Sequence, residues 1–106
     1  MDRLNKRNIL PGIGVFVLFL LVSIALFLPS GETLFHGQKC ITCHRFRGQG
    51  GMAGPDLTDV RKRRGAVWIM RQIKNPQSHN PDSRMPAYDH LNYFEICTII
   101  SFLKSP

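Results

Sequence analysis

The chain has 106 residues, 43% of them hydrophobic, and a formal net charge of +7. That length allows one small domain at most. Of the three cysteines, two share one motif and Cys97 stands alone, so a disulfide framework is excluded as the source of stability.

No charged residue occurs from Asn8 to Gly31. Within that run, ILPGIGVFVLFLLVSIALFL (Ile9 to Leu28) is an unbroken apolar segment. As a helix it spans about 30 Å, the hydrocarbon thickness of a bilayer. Pro11 and Gly12 fall in its expected first turn, where a proline costs little. A cleaved signal peptide is the alternative. Its apolar stretch is usually about 7–15 residues and ends in small residues. This run is longer, and FLPSGE is a poor cleavage site, so residues 1–30 are expected to be a cytoplasmic flank and an uncleaved transmembrane anchor. Arg3, Lys6 and Arg7 outweigh Asp2 before the run. That excess holds the N-terminus in the cytoplasm and sends residues 31–106 across the membrane.

The outer part carries eleven Lys plus Arg against six Asp plus Glu, with its densest run at Arg61, Lys62, Arg63 and Arg64. A basic run can meet nucleic acid, anionic lipid, an acidic protein or an anionic ligand. Translocation argues against nucleic acid. A domain this small buries a thin core and needs a staple, for which a metal or cofactor is the natural candidate.

GETLFHGQK, residues 31–39, reads as a short helix with Leu34 and Phe35 buried. Residues 45–55 hold four glycines and a proline and read as loop. Thr58 is placed to cap a short helix through Arg64, with Asp59 in its first turn. AVWIMRQIKN puts Val67, Met70 and Ile73 or Lys74 on one face, and Pro76 ends it. PQSHNPDSRMPAYDH is an extended loop. Asn92 and Glu95 form a capping-box pair at the start of the last helix. Phe94, Cys97, Ile100 or Ser101, and the pair Phe102–Leu103 recur there at helical spacing, and the helix ends near Lys104. No strand is evident. The expected class is all-α, short helices joined by loops long enough to wrap around something.

Those loops bracket CITCH, residues 40–44. A zinc site needs four ligands. The motif supplies Cys40, Cys43 and His44, and a fourth would have to come from Cys97, His36, His79 or His90. A thiol redox pair wants CxxC at a helix start among strands and leaves the histidine unused. Covalent haem uses all three. CxxCH is the attachment motif of c-type haem. Each thiol adds across a vinyl group, and His44 falls under the iron. Met85, in DSRMPAY between Pro81 and Pro86, is the leading candidate on the other side of the ring. A thioether opposite histidine raises the potential and suits electron transfer. Met70 reads as core, and Met52 lies too close to His44 in sequence. His79 and His90 remain alternatives for bis-histidine ligation.

Residues 31–106 resemble the class I cytochromes c. GETLFHGQKCITCH is similar to that family's first helix and haem motif, GPDL to the segment after attachment, RMPAY to the ligand loop, and EICTIISFLKS to the closing helix. The resemblance implies one haem c attached through Cys40 and Cys43, with His44 and Met85 on the iron. It implies that the Pro55 carbonyl accepts the His44 ring N–H, a bond that fixes the tautomer. It also implies that Leu34 and Phe35 cross Ile99 and Phe102 where first and last helices pack. With a haem present the basic run has two readings: solvated charge in which Arg61, Arg63 or Arg64 partly balances the propionates, with Arg64 expected at the cofactor, or a docking face for an acidic partner.

The order of an N-terminal anchor, CITCHRFRGQGG, PDLTDVRKRRG, RMPAY and EICTIISFL also resembles the small cytochrome c subunits of bacterial nitric oxide reductases. GMAGPDL departs from that pattern by lacking a tyrosine-containing segment before the proline. The resemblance implies a bacterial inner-membrane protein with its haem domain on the periplasmic face. Its partners would be electron donor and acceptor proteins and a multi-span respiratory complex, with the chain not itself catalytic. The alternatives are a tethered shuttle between a quinol-oxidising complex and a terminal oxidase, and an open-haem gas sensor or peroxidase. A purely structural role is a third, weakly signalled by Gly12 and Gly14, which do not form a GxxxG pattern.

Overall fold

In the computed structural model the backbone is described for residues 2–104 and the side chains for residues 8–104. Helix α1 runs Asp2–Phe27 and contains Pro11. It therefore begins well before the apolar run, and Pro11 lies inside it rather than in its first turn. The charged residues that orient the flank lie outside the described side chains. From Ile9 to Leu28 large apolar side chains stand exposed on all sides, Leu26 by 79% and Phe27 by 88%. A continuous apolar surface of this kind calls for lipid or a partner helix.

The rest is helical. After α1 come α2 (Gly31–Gly37), α3 (Cys40–Cys43), α4 (Val60–Arg63), α5 (Ala66–Lys74), a 3-10 turn (Pro76–Ser78) and α6 (Tyr93–Lys104). Among the described residues the only β pairing is an isolated bridge between Phe46 and Gln49.

Ser30 caps α2. Its hydroxyl accepts from the Thr33 N–H at 3.1 Å, satisfying one of the helix's orphan donors. Helices α2 and α6 make the most extensive helix contact, and α5 packs on α6. At the α2–α6 crossing Gly31 is buried. A methyl there would strike the Thr98 carbonyl and sit 2.5 Å from the Phe102 Cβ. The glycine lets the backbones close, and Phe35 then meets Phe102 at 5.6 Å and Phe46 at 5.9 Å between ring centroids. Phe46 and Phe102 close this triangle at 5.0 Å, spacings typical of favourable aromatic pairs. Leu34, Phe35 and Ile99 are buried and Phe102 packs against the cluster, so the expected crossing is present.

Three local expectations change. Thr58 does not cap α4. Its N–H and hydroxyl both donate to the Asp56 carboxylate, and Asp59 is the capping residue, its side chain paired with Lys62 rather than with a backbone N–H of the helix. An aspartate two residues back competes better for these donors, the usual Asx-turn geometry. On α5 the buried residues are Ile69 and Ile73, while Val67 is 73% exposed. On α6 the buried residues are Ile96, Ile99, Ile100 and Leu103, with Phe94 55% exposed. Both helices carry apolar residues over more than one face, and packing against each other selects the stripe.

The capping box forms as expected. The Asn92 N–H donates to Glu95 Oε2 and the Glu95 N–H to Asn92 Oδ1, both at 2.8 Å.

Candidate haem site

The segment after α2 turns sharply. Lys39 adopts φ +63° and starts α3, a left-handed conformation uncommon for a side chain with Cβ. The turn of α3 then spaces Cys40 and Cys43 three residues apart on neighbouring positions. Cys40 is half-buried and Cys43 exposed. Burial pushes the Cys40 thiol up, opposed by a backbone hydrogen bond and reinforced by the nearby Cys43.

His44 follows in extended conformation, φ −112°, ψ 130°. Its ring Nδ1 lies 2.8 Å from the Pro55 carbonyl oxygen. A carbonyl only accepts, so Nδ1 carries the proton and Nε2 keeps its lone pair free for a metal. Gly54 lies against that ring. A Cβ there would come within 2.5 Å of Cε1 and 2.7 Å of Nδ1. The loop is tied down by Gly54 N–H to the Cys43 carbonyl at 2.7 Å and Leu57 N–H to the Arg45 carbonyl at 2.8 Å.

Cys40, His44, Pro55 and Met85 line one cavity of about 230 Å³, with Leu57, Ile69 and Ile73 among its apolar walls and Arg63 and Arg64 among its basic ones. Met85 comes from the loop between Pro76 and Asn92. The Gln77 side chain holds that loop through its amide N–H, to the Ser83 carbonyl at 3.1 Å and the Met85 carbonyl at 3.3 Å. Tyr88 anchors it further, its hydroxyl donating to the Gln38 carbonyl at 3.0 Å and its N–H to the Ile73 carbonyl at 2.9 Å. Burial, then the nearby Cys40 and Cys43, raise the Tyr88 phenol, so it stays a donor.

The rival ligands lie elsewhere. Met52 is 80% exposed, Met70 packs against the core, and His90 bonds the Gln38 side chain at 3.0 Å. His79 stacks on Trp68. Neither histidine lines the cavity. Among the described residues no three His, Cys, Asp or Glu side chains are grouped as a metal-ion site. Cys97 lies in a separate groove with Val67, Met70 and Tyr93, and Arg61 lines that groove rather than the cavity. Arg63 donates to the Asp56 carbonyl at 2.7 Å, and the Arg64 guanidinium lies 4.4 Å from the Trp68 ring centroid.

Sequence reasoning missed Trp68 and Gln72 at this cavity and Gly54 against the His44 ring. Trp68 is the chain's single tryptophan, a faint signal. Nothing in the sequence marks Gln72.

The donor set fits a covalently held haem: a cysteine in an apolar wall, an imidazole with its outer nitrogen satisfied, a thioether on the same cavity and basic side chains among the lining. An all-helical domain folded round such a cavity belongs to the class of small haem-binding electron carriers. Residues 29–106 match the family model for cytochrome c, and the chain belongs to that family. The chain is 30% identical to a nitric oxide reductase subunit of Halomonas halodenitrificans, over 71% of this chain and 55% of that protein. It is 29% identical to cytochrome c oxidase subunit 2 of Alkalihalophilus pseudofirmus, over 71% of this chain and 24% of that protein. The chain thus spans about half and about a quarter of these two relatives. No solved structure matches it significantly. The cytochrome c family is one of covalently bound haem c, and electron transfer is the function it carries.

Proposed function

We propose that the chain is a membrane-tethered one-electron carrier in which Cys40 and Cys43 would attach one haem c and His44 and Met85 would ligate its iron. The convergence of Cys40, His44, Pro55 and Met85 on one cavity supports this reading. When bound, the haem supplies one-electron chemistry by cycling its iron between ferric and ferrous. The protein's part is placement. The Pro55 carbonyl holds the His44 tautomer with Nε2 free. The loop tied down by Gln77 and Tyr88 would offer the Met85 thioether as a second ligand. Ile69, Ile73 and Leu57 exclude water, which limits reorganisation when charge changes. Arg64, among the cavity's lining residues, would balance the haem carboxylates. Residues 1–30 are the anchor and 31–106 the haem domain, facing the periplasm of a bacterial inner membrane.

The partner is a multi-span respiratory complex, a reading supported by the names of both relatives, each a part of a respiratory oxidoreductase. Nitric oxide reductase is favoured by the greater share of that relative's length that the chain covers. Tethering keeps the domain near its partner, so effective concentration replaces tight binding.

The test is extraction of native membranes in mild detergent, following the c-type absorption through purification. Co-migration with a multi-span complex that reduces nitric oxide supports the proposal. Migration as one small chain replaces the role within a complex with that of a tethered shuttle. Rapid carbon monoxide binding by the ferrous protein would overturn the filled coordination sphere.

A further inference from the structure

Helix α5 carries two apolar stripes, and only one of them faces the haem cavity. Trp68, Ile69 and Ile73 line that cavity. Val67 and Met70 lie on the other side, where they line a groove of about 330 Å³ together with Tyr93 and Cys97 of α6. The two hollows share no lining residue. Val67 is 73% exposed and Tyr93 71%, so the groove is rimmed by apolar surface that the haem does not use.

The charge of this groove is one-sided. Arg61 and Lys104 line it, and among the described residues no acidic side chain does. The Arg61 Nη1 donates to the Arg64 carbonyl at 3.5 Å, while its Nε is buried with no hydrogen-bond partner among the described residues. A buried donor left unpaired is costly. Turning the guanidinium onto a carboxylate replaces that loss with a charge-assisted bond. The basic run is thus divided, Arg63 and Arg64 lining the haem cavity and Arg61 the groove.

The groove also lies toward the anchor. Helix α1 ends at Phe27 and α2 begins at Gly31, a gap of at most about 15 Å. The Gly31 backbone lies against Thr98 and Phe102 of α6. Cys97 and Lys104 bracket that same stretch of α6. With α1 in the membrane, whatever fills the groove sits close to the bilayer surface.

We propose that the α5–α6 groove is the assembly face of this chain. Its occupant is a membrane-proximal segment of the respiratory complex, with apolar side chains beside a carboxylate that pairs with Arg61 and Lys104. This rests on the reading of the chain as part of such a complex. Apolar contact at Val67 and Tyr93 gives retention, and the charges fix orientation. The haem side of α5 plays no part in this contact.

The test uses the full-length haem-loaded chain, in native membranes and after purification in mild detergent. With Cys40 and Cys43 consumed by the haem, Cys97 is the one thiol left of three and reports on the groove. Its alkylation is expected to be about tenfold slower in the complex than in the chain purified alone, because a covered interface excludes solvent. Val67→Glu puts a charge at an exposed position of the groove, and is expected to weaken co-purification with the complex about tenfold. Lys104→Glu is expected to weaken it similarly at low salt and less at high salt. Met52→Glu, at an 80% exposed site on the loop after CITCH, is the control and should co-purify as the wild type does. Haem absorption and midpoint potential should be unchanged in all three. Release by Met52→Glu alone would put docking on the haem loop and overturn the proposal. Cys97 protection that rises with the concentration of the purified chain would give the groove to a second copy, and protection in phosphatidylcholine–phosphatidylglycerol vesicles holding this chain alone would give it to lipid; either overturns it. A wild-type chain that runs alone removes the complex and the groove's partner together. A wild-type chain that co-purifies, with neither groove variant loosening it, overturns only the groove.

Discussion

The His44 imidazole is held between the Pro55 carbonyl, 2.8 Å from its Nδ1, and the backbone of Gly54. No side chain fits between ring and loop. Gly54→Ala must tilt the ring or push the loop away, breaking the bond that sets the tautomer. Disturbing such partners weakens a metal ligand by about 10–100-fold. The expected outcome is a sharp fall in haem-loaded protein, read by haem absorption of the purified chain. Gly37→Ala, where an added methyl meets nothing within 4 Å, is the control and should load normally.

Phe35 is 1% exposed at the centre of the aromatic triangle, whereas Phe94 points outward. Phe35→Ala is expected to destabilise the domain by about 3–5 kcal/mol. Phe94→Ala should stay within about 0.5 kcal/mol. Denaturant midpoints followed by helical circular dichroism in detergent check both, and equal effects would contradict the packing of α6.

The reciprocal bonds of Asn92 and Glu95 give a paired test. Asn92→Ala is expected to cost about 1 kcal/mol. Adding Glu95→Ala should then cost less than Glu95→Ala alone, because the bonds act together. Strict additivity in a double-mutant cycle would mean that the box does not form in solution.

Asp56 is held below the usual carboxylate range, first by the two Thr58 donors and further by Arg45 and Arg63. A carboxyl depressed on folding contributes stability above its unfolded pKa of about 3.9 and loses it as pH falls through the folded value. Stability should therefore decline below about pH 4 more steeply in the wild type than in Asp56→Asn. Parallel acid profiles in a pH series of denaturant melts would remove this role.

Cys40 is half-buried with a raised thiol, while Cys43 is exposed. The thiolate is the reactive form, so an alkylating reagent near neutral pH should label Cys43 first. The gap should narrow as pH rises toward the Cys40 pKa. Peptide mass mapping reads the order, and the haem-loaded protein should take label at neither position.

The apolar run, CITCH, the proline-flanked Met85 and the Asn92–Glu95 pair are legible in the sequence because each is local. Spacing along the chain carries their chemistry, and no distant contact has to be known. The Pro55 partner of His44 follows from family resemblance, and the structure places the two at hydrogen-bond distance. The faces of α5 and α6 differ from expectation for another reason. In AVWIMRQIK both the Val67–Met70 stripe and the Ile69–Ile73 stripe satisfy a helical period. Nine residues are too few for periodicity to separate them.

An apolar span and a CxxCH motif are each written in consecutive residues, so an all-helical haem protein with an N-terminal anchor can be read from the chain without its fold. Three-dimensional packing was needed to settle which side of α5 faces the cavity, that Thr58 serves Asp56, and that Gln72 stands between His79 and Met85. The physical reason is range. Gln72 and Met85 are thirteen residues apart with a proline-rich loop between them. Their contact exists only once α5 has packed on α6 and Tyr88 has tied that loop to Gln38, just before Cys40.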